Sequence, residues 1–119
     1  GLSYSTFKYD KIKSINKDEK NVYVSILVKN TGKRDGEEVT QLYVSYPDSK
    51  VERPTKQLRA FKRIFIKSEE TKQIDFSIPL DDLCYWSEEK QAFFTEPGRV
   101  KLLIGASSED IRLKGAIKL

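Results

Sequence analysis

The sequence contains no histidine, a single cysteine and only six glycines among its 119 residues. Without histidine, the chain cannot build a Ser-His-Asp or Cys-His catalytic arrangement, an imidazole general base or a histidine-containing metal site. The lone cysteine, Cys84, excludes an internal disulfide and a cysteine-cluster zinc site. The glycines form no phosphate-binding G-x-G-x-x-G or P-loop pattern. We therefore assign no catalytic residue to this chain, and we expect no metal and no other cofactor.

The chain also lacks long apolar runs and blocks of like charge. No segment approaches the roughly 20 apolar residues of a membrane-spanning helix, and no apolar N-terminal region resembles a signal peptide. The 22 Lys and Arg residues exceed the 18 Asp and Glu residues by only four, and the two signs are intermixed along the chain. We therefore expect one globular domain with neither nucleic acid nor a membrane as its partner.

Alternating apolar residues are the dominant pattern that is present, and they predict β-strands. Val22, Val24, Ile26 and Val28 occupy every second position, which places them on one side of a sheet. Similar patterns predict strands at 6–15, 22–28, 39–46, 58–66, 71–80, 100–104 and 111–119. No window of a dozen residues shows the apolar spacing of a long amphipathic helix.

Turn residues separate these segments at the spacing of a β-sandwich. Asn16-Lys17-Asp18 and Glu96-Pro97-Gly98 are typical turn sequences, and a longer loop runs from Pro47 to Lys56. About seven short strands in this length predict an all-β, antiparallel sandwich of the immunoglobulin or fibronectin III-like type. The fibronectin III-like branch fits better, because the two paired cysteines of antibody domains are absent.

The acidic residues and the cysteine offer no catalytic site. Adjacent acids occur at several places, among them positions 18–19, 37–38, 69–70, 81–82 and 88–89. Each doublet lies in or beside a predicted turn, so we expect solvated carboxylates rather than the facing pair of a glycosidase. Cys84 lies between Leu83 and Tyr85, which predicts a buried structural thiol.

Four aromatic residues, Tyr85, Trp86, Phe93 and Phe94, lie within ten positions of one another. A sandwich core needs large side chains, so one interpretation buries most of these rings in the core. A second places some of them in an exposed apolar patch that contacts a partner. In a third, sugar rings stack on Trp86 and the domain binds carbohydrate.

The long loop contains the basic residues Arg53 and Lys56 next to Pro54. Long ordered loops often carry function, so these residues are candidates for contact with a substrate or with another domain. The alternative is a solvated basic loop with no binding role.

Several segments together resemble one known family. They are GLSYSTF (1–7), VKNTG (28–32), EVTQLYV (38–44), RPTKQLRAF (53–61) and, after Pro97-Gly98, IGASS (104–108). In this order they are similar to the C-terminal fibronectin III-like domain of family 3 glycoside hydrolases, which include β-glucosidases. The S-D-W type motif around the catalytic nucleophile of that family has no counterpart here, so the resemblance transfers no catalytic residue.

The resemblance implies that residues 1–119 of this sequence form one non-catalytic accessory domain, taken from the C-terminal end of a larger multidomain enzyme. Its partners would be the catalytic domains of the same polypeptide, on which it would pack through an apolar and aromatic surface. Arg53 or Lys56 would then approach the substrate side of the active site. The alternative function is a carbohydrate-binding module that anchors the enzyme to a glycan.

Overall fold

The computed structural model describes residues 6–50 and 56–119, which form nine β-strands and a four-residue 3₁₀ helix, Leu80–Leu83. The strands are β1 (Phe7–Lys17), β2 (Asn21–Asn30), β3 (Gly36–Ser45), β4 (Gln57–Ile66), β5 (Thr71–Pro79), β6 (Tyr85–Ser87), β7 (Ala92–Phe94), β8 (Arg99–Ser107) and β9 (Asp110–Lys118). No helix in these two ranges combines the length and the apolar character needed to span a membrane.

The strands form two main antiparallel sheets and a separate hairpin. The three-stranded sheet has the order β1-β2-β5, and the four-stranded sheet has the order β4-β3-β8-β9. Strands β6 and β7 pair only with each other. The predicted all-β sandwich is confirmed, with nine strands instead of about seven.

Alternation in the sequence explains the core between the sheets. In β2 the residues at even positions are fully buried, and Val24 pairs with Ile15 of β1 and with Phe76 of β5. Leu42 and Ile104 pair across β3 and β8 on the inner face of the other sheet. Each aliphatic side chain buried in this way contributes about 1.5–3 kcal/mol.

One predicted turn lies two residues too early. Strand β1 continues through Asn16 to Lys17, which pairs with Val22. The turn follows at Asp18, whose Oδ1 accepts hydrogen bonds of 2.8 Å from the backbone N–H groups of Lys20 and Asn21. These two backbone hydrogen bonds, led by the one from Lys20, lower the pKa of the Asp18 carboxyl. The Tyr23 hydroxyl and the backbone N–H of Asp18 itself lower it further.

A buried asparagine holds the connection between the sheets. The side chain of Asn30 at the end of β2 donates to the carbonyl oxygens of Arg34 at 2.8 Å and Ile66 at 2.9 Å. Its Oδ1 accepts a hydrogen bond of 2.8 Å from the backbone N–H of Gly32. Asn30 therefore fixes the path of the chain from β2 to β3 and joins it to the end of β4.

A buried tyrosine joins β1 to the four-stranded sheet. The Tyr9 hydroxyl donates to Glu38 Oε2 at 3.1 Å and is hydrogen-bonded with Thr40 Oγ1 at 3.2 Å. Arg112 of β9 lies over the Tyr9 ring, 5.1 Å from its centroid, and donates to the backbone carbonyl of Phe7. Burial raises the pKa of the Tyr9 hydroxyl well above its ordinary value.

Candidate docking surfaces

The outer face of the three-stranded sheet is polar. Ser25 donates a hydrogen bond of 2.7 Å to Asp75 on the neighbouring strand, and Lys13 donates one of 2.8 Å to Gln73. Lys29 forms an ion pair of 3.6 Å with Glu69. Side chains of this kind are typical of a sheet face that contacts water.

The outer face of the four-stranded sheet is apolar along β4. Phe61 pairs with Gln41, and Phe65 pairs with Glu37. On β3 the buried Leu42 points inward, so Gln41 and Glu37 point outward, and so do the phenylalanines paired with them. Leu58, Phe61 and Phe65 are 46%, 65% and 50% exposed, and we call them the β4 apolar face. The exposed Arg63 lies between the two phenylalanines on this face. Exposed apolar side chains of this size often mark a contact surface.

A shallow groove lies further across the same outer face, on β8 and β9. It has a volume of about 570 Å³, and we call it the lysine groove. The residues lining it include Lys56, Lys101, Leu103, Ile111 and Lys114. Leu103 pairs with Tyr43 on one side and with Lys114 on the other, so the apolar and basic regions are continuous.

The β6–β7 hairpin contains all four clustered aromatic residues. Trp86 and Phe93, which are 46% and 73% exposed, pack edge to face with centroids 5.2 Å apart and an interplanar angle of 78°. Tyr85 and Phe94 are half-buried and form a second edge-to-face pair at 5.8 Å. Lys90 Nζ lies 3.5 Å from the centroid of the Phe94 ring. We call this element the aromatic hairpin.

The interpretation that buries most of these aromatic residues in the sandwich core is wrong. Core positions between the sheets are occupied by strand residues such as Ile26, Leu42 and Phe76, whereas Trp86 and Phe93 are exposed. Cys84 just before the hairpin is half-buried, whereas burial was predicted. Its Sγ lies 3.0 Å from Thr95 Oγ1, in hydrogen-bonding geometry.

The structure locates one of the three candidate loop residues. Arg53 and Pro54 lie outside the described residues, so their predicted role remains a prediction. Lys56 donates a hydrogen bond from Nζ to the backbone carbonyl of Ser108, in the turn between β8 and β9. The ammonium group thus connects the end of the long loop to the edge of the lysine groove.

The acidic doublets do not form a facing pair. Asp18, Asp81 and Glu88 are exposed. Backbone hydrogen bonds, led by the one from Lys20, lower the carboxyl pKa of Asp18, whereas a general acid needs a raised value. Within residues 6–50 and 56–119, no three Cys, Asp or Glu side chains are grouped in a way that could hold a metal ion.

Sequence reasoning missed the β4 apolar face, although the sequence carried a signal for it. In β4, apolar residues occur on both faces, with Ile64 and Ile66 pointing inward and Phe61 and Phe65 pointing outward. A strand that is apolar on both sides is typical of a sheet covered on both faces. The prediction of a strand at 58–66 assigned its residues to neither face of a sheet.

Comparison with known proteins identifies the family. The profile described as "Fibronectin type III-like domain" matches residues 38–108. The chain belongs to this family. The domain is 38% identical to β-glucosidase BoGH3A of Bacteroides ovatus, over 94% of its own length and 15% of that protein. It is 37% identical to thermostable β-glucosidase B of Acetivibrio thermocellus, over 100% of its length and 16% of that protein.

Solved structures give the same result for the fibronectin type III-like domain. It superposes on β-glucosidase of Kluyveromyces marxianus with a TM-score of 0.90, at 35% identity, over 100% of its length and 14% of that chain. For β-glucosidase 3B of Thermotoga neapolitana in complex with α-D-glucose, the TM-score is 0.88 at 33% identity, over 99% of its length and 16% of that chain. The resemblance stated from the sequence is confirmed, and the domain corresponds to a small part of each relative.

Proposed function

We propose that this domain is a non-catalytic accessory domain of a β-glucosidase-like family 3 glycoside hydrolase. In this proposal it packs on the catalytic domains of the same polypeptide and stabilises them. Two findings support the proposal: the named relatives are β-glucosidases, and the domain spans about 15% of their length. Hydrolysis of the glycosidic bond would belong to the rest of the polypeptide.

The observation that carries the packing role is the β4 apolar face. Leu58, Phe61 and Phe65 project from a sheet whose opposite face already forms the core, so the fold itself does not need them. Interfaces between domains of one chain bury roughly 600–1,500 Å², and an aromatic side chain at such an interface buries up to about 150–250 Å². Two phenylalanines that are at least half exposed therefore supply a substantial part of such a contact.

The test of this function is the double variant Phe61→Ser/Phe65→Ser in the full-length polypeptide that carries the domain. Docking would bury the exposed half of each ring, so we expect the variant to lose roughly 2–5 kcal/mol of packing free energy. The measurements are the thermal unfolding midpoint and the rate of limited proteolysis between domains. The midpoint should fall and cleavage should become faster.

A matched control for this test lies on the other sheet. Tyr23→Ser also replaces an exposed aromatic side chain by serine, but on the polar face. The control also loses the hydrogen bond from its hydroxyl to Asp18, so we expect a small fall of its unfolding midpoint, less than half of that of the double variant, and a cleavage rate close to that of the parent. If the double variant behaves like this control, the β4 apolar face does not dock and the proposed packing role is wrong.

One observation favours a second function, carbohydrate binding at the aromatic hairpin. Trp86 and Phe93 are both accessible to solvent, as a residue that stacks on sugar rings must be. Their rings are inclined at 78°, however, so together they do not present the flat surface on which a polysaccharide chain would lie. A single ring remains available for stacking, and titration with oligosaccharides tests this second function.

A further inference from the structure

The domain presents two kinds of surface side by side on the outer face of the four-stranded sheet. Along β4 the surface carries the exposed apolar side chains of Leu58, Phe61 and Phe65, and across β8 and β9 it is basic. Lys101 pairs with Ser45 and Ala116, and Lys114 pairs with Leu103, which places both lysines on this outer face. Both side chains are exposed.

These two lysines have no acidic partner within the part of the chain that the structure describes. The cations nearby are paired differently: Arg99 with Asp48 at 4.0 Å, and Arg112 with Asp110 at 2.9 Å. At the far end of β4, Glu37 pairs with Arg63 at 3.3 Å. The basic character of the groove is therefore not neutralised by the described residues.

A typical interface between domains is large enough to extend from β4 to these lysines. A contact of roughly 600–1,500 Å² covers about 300–750 Å² on each side, which corresponds to a patch of about 10–15 Å radius. Neighbouring strands lie about 4.8 Å apart, so β8 is about 10 Å and β9 about 14 Å from β4. Leu58 pairs with Tyr43, which pairs with Leu103 and through it lies level with Lys114, so both lysines are within about 15 Å of Leu58 and an interface that covers Leu58 reaches them.

An ammonium group that loses water at an interface needs an anionic partner, because an unpaired buried charge costs several kcal/mol. The groove of about 570 Å³ beside Lys101 and Lys114 has room for side chains from the opposing surface. Resting on the proposed function, we propose that the catalytic-domain surface facing this domain carries carboxylate side chains that enter the lysine groove and pair with Lys101 and Lys114. Docking then combines apolar contact at β4 with ion pairing at β8 and β9.

The experiment is a charge reversal in the full-length polypeptide, Lys101→Glu/Lys114→Glu. The control is Lys8→Glu/Lys11→Glu, which makes the same change in net charge at exposed positions of β1 in the three-stranded sheet. We expect the groove variant to lower the thermal unfolding midpoint by at least about 3 °C more than the control. Raising the ionic strength from about 0.05 M to 0.5 M should reduce this difference by half or more, because salt screens like-charge repulsion.

A second variant keeps the test decisive if the charge reversal prevents folding. Lys101→Met/Lys114→Met removes both charges and retains side chains of similar length. Its unfolding midpoint should fall less than that of the charge reversal, and it should depend on salt less than the midpoint of the parent does. If both groove variants match the β1 control at every salt concentration, the carboxylate partner is wrong. The proposed function still stands in that case if Phe61→Ser/Phe65→Ser lowers the midpoint, and it fails as well if that variant has no effect.

Discussion

Two of the segments that resemble the family each contain one residue whose identity the local structure explains. In VKNTG (28–32), Asn30 is buried and uses its side chain for three hydrogen bonds to backbone groups. In IGASS (104–108), a Cβ atom on Gly105 would lie only 1.9 Å from the carbonyl oxygen of Asp110. These positions are therefore restricted by local backbone geometry and not by a binding role.

The first prediction at this scale concerns Asn30→Ala in the 119-residue chain. The substitution leaves the N–H of Gly32 and the carbonyl oxygens of Arg34 and Ile66 without their partner. An unsatisfied buried polar group costs about 1–3 kcal/mol, so we expect the free energy of unfolding to fall by about 3 kcal/mol. Urea denaturation measures this change.

The control for Asn30 is the exposed asparagine of β1. Asn16→Ala should change the free energy of unfolding by less than about 0.5 kcal/mol, since surface substitutions usually have small effects. Equal effects of the two substitutions would show that the Asn30 side chain does not hold the β2–β3 connection.

At the scale of elements, the aromatic hairpin stands apart from the two main sheets. It pairs with neither main sheet, and a two-stranded hairpin alone is marginally stable in water. The edge-to-face pairs Trp86–Phe93 and Tyr85–Phe94 contribute about 0.5–1.5 kcal/mol each beyond the area they bury. Ring packing within the hairpin thus accounts for the clustering without a ligand.

The second prediction tests carbohydrate binding by this hairpin. Trp86 is the only tryptophan of the chain, so its fluorescence reports on the hairpin alone. Titration with cello-oligosaccharides and soluble β-glucans should give no saturable change that corresponds to a dissociation constant of about 1 mM or tighter. Thermal unfolding of the same sample verifies that the chain is folded.

The matched variant for this titration is Phe93→Ala, which retains the fluorescent residue and removes the ring that packs against it. A saturable change in the parent that is weakened in this variant would contradict the prediction. It would make the aromatic hairpin a carbohydrate-binding site, while leaving the proposed docking role of the β4 apolar face to its own test.

How much of this architecture follows from the sequence differs among the elements. Strand β2 was predictable because one side of it is apolar and the other is polar, with Val24 and Ile26 on the buried side. Strands β6 and β7 have three residues each, which is too short for alternation to identify a strand. Whether Trp86 is buried or exposed depends on what packs against its hairpin, and local sequence does not determine that.

The candidate surfaces were harder to predict than the strands for the same reason. The sequence located the clustered rings of the hairpin, and it did not reveal that Phe61 and Phe65 share an outer face with Lys101 and Lys114. Those residues are brought together by pairing of β3 with both β4 and β8, which are about 40 positions apart. Strand order in a sandwich depends on long-range packing, which no local pattern encodes.

On the scale of the whole molecule, ionisable groups respond to folding at both ends of the pH range. Hydrogen bonds, led by those from Lys20 N–H to Asp18, from Ser25 to Asp75 and from Arg112 to Asp110, lower these carboxyl pKa values. These acids therefore bind protons less readily in the folded chain. Tyr9 behaves in the opposite way, because burial raises the pKa of its hydroxyl, which therefore stays protonated to a higher pH in the folded chain.

The third prediction is the resulting pH profile of stability. The lowered carboxyl pKa values add stability above about pH 4, and this is lost as the pH falls through the folded values. The raised Tyr9 pKa adds stability that is complete below about pH 10 and is lost as the pH rises further. Urea midpoints from pH 2 to 11 should show a plateau with a decrease at each end.

In Tyr9→Phe the alkaline decrease should become shallower. The part that remains comes from Tyr23, whose pKa is raised by the bond to Asp18. An unchanged alkaline slope in that variant would contradict the role given to buried Tyr9.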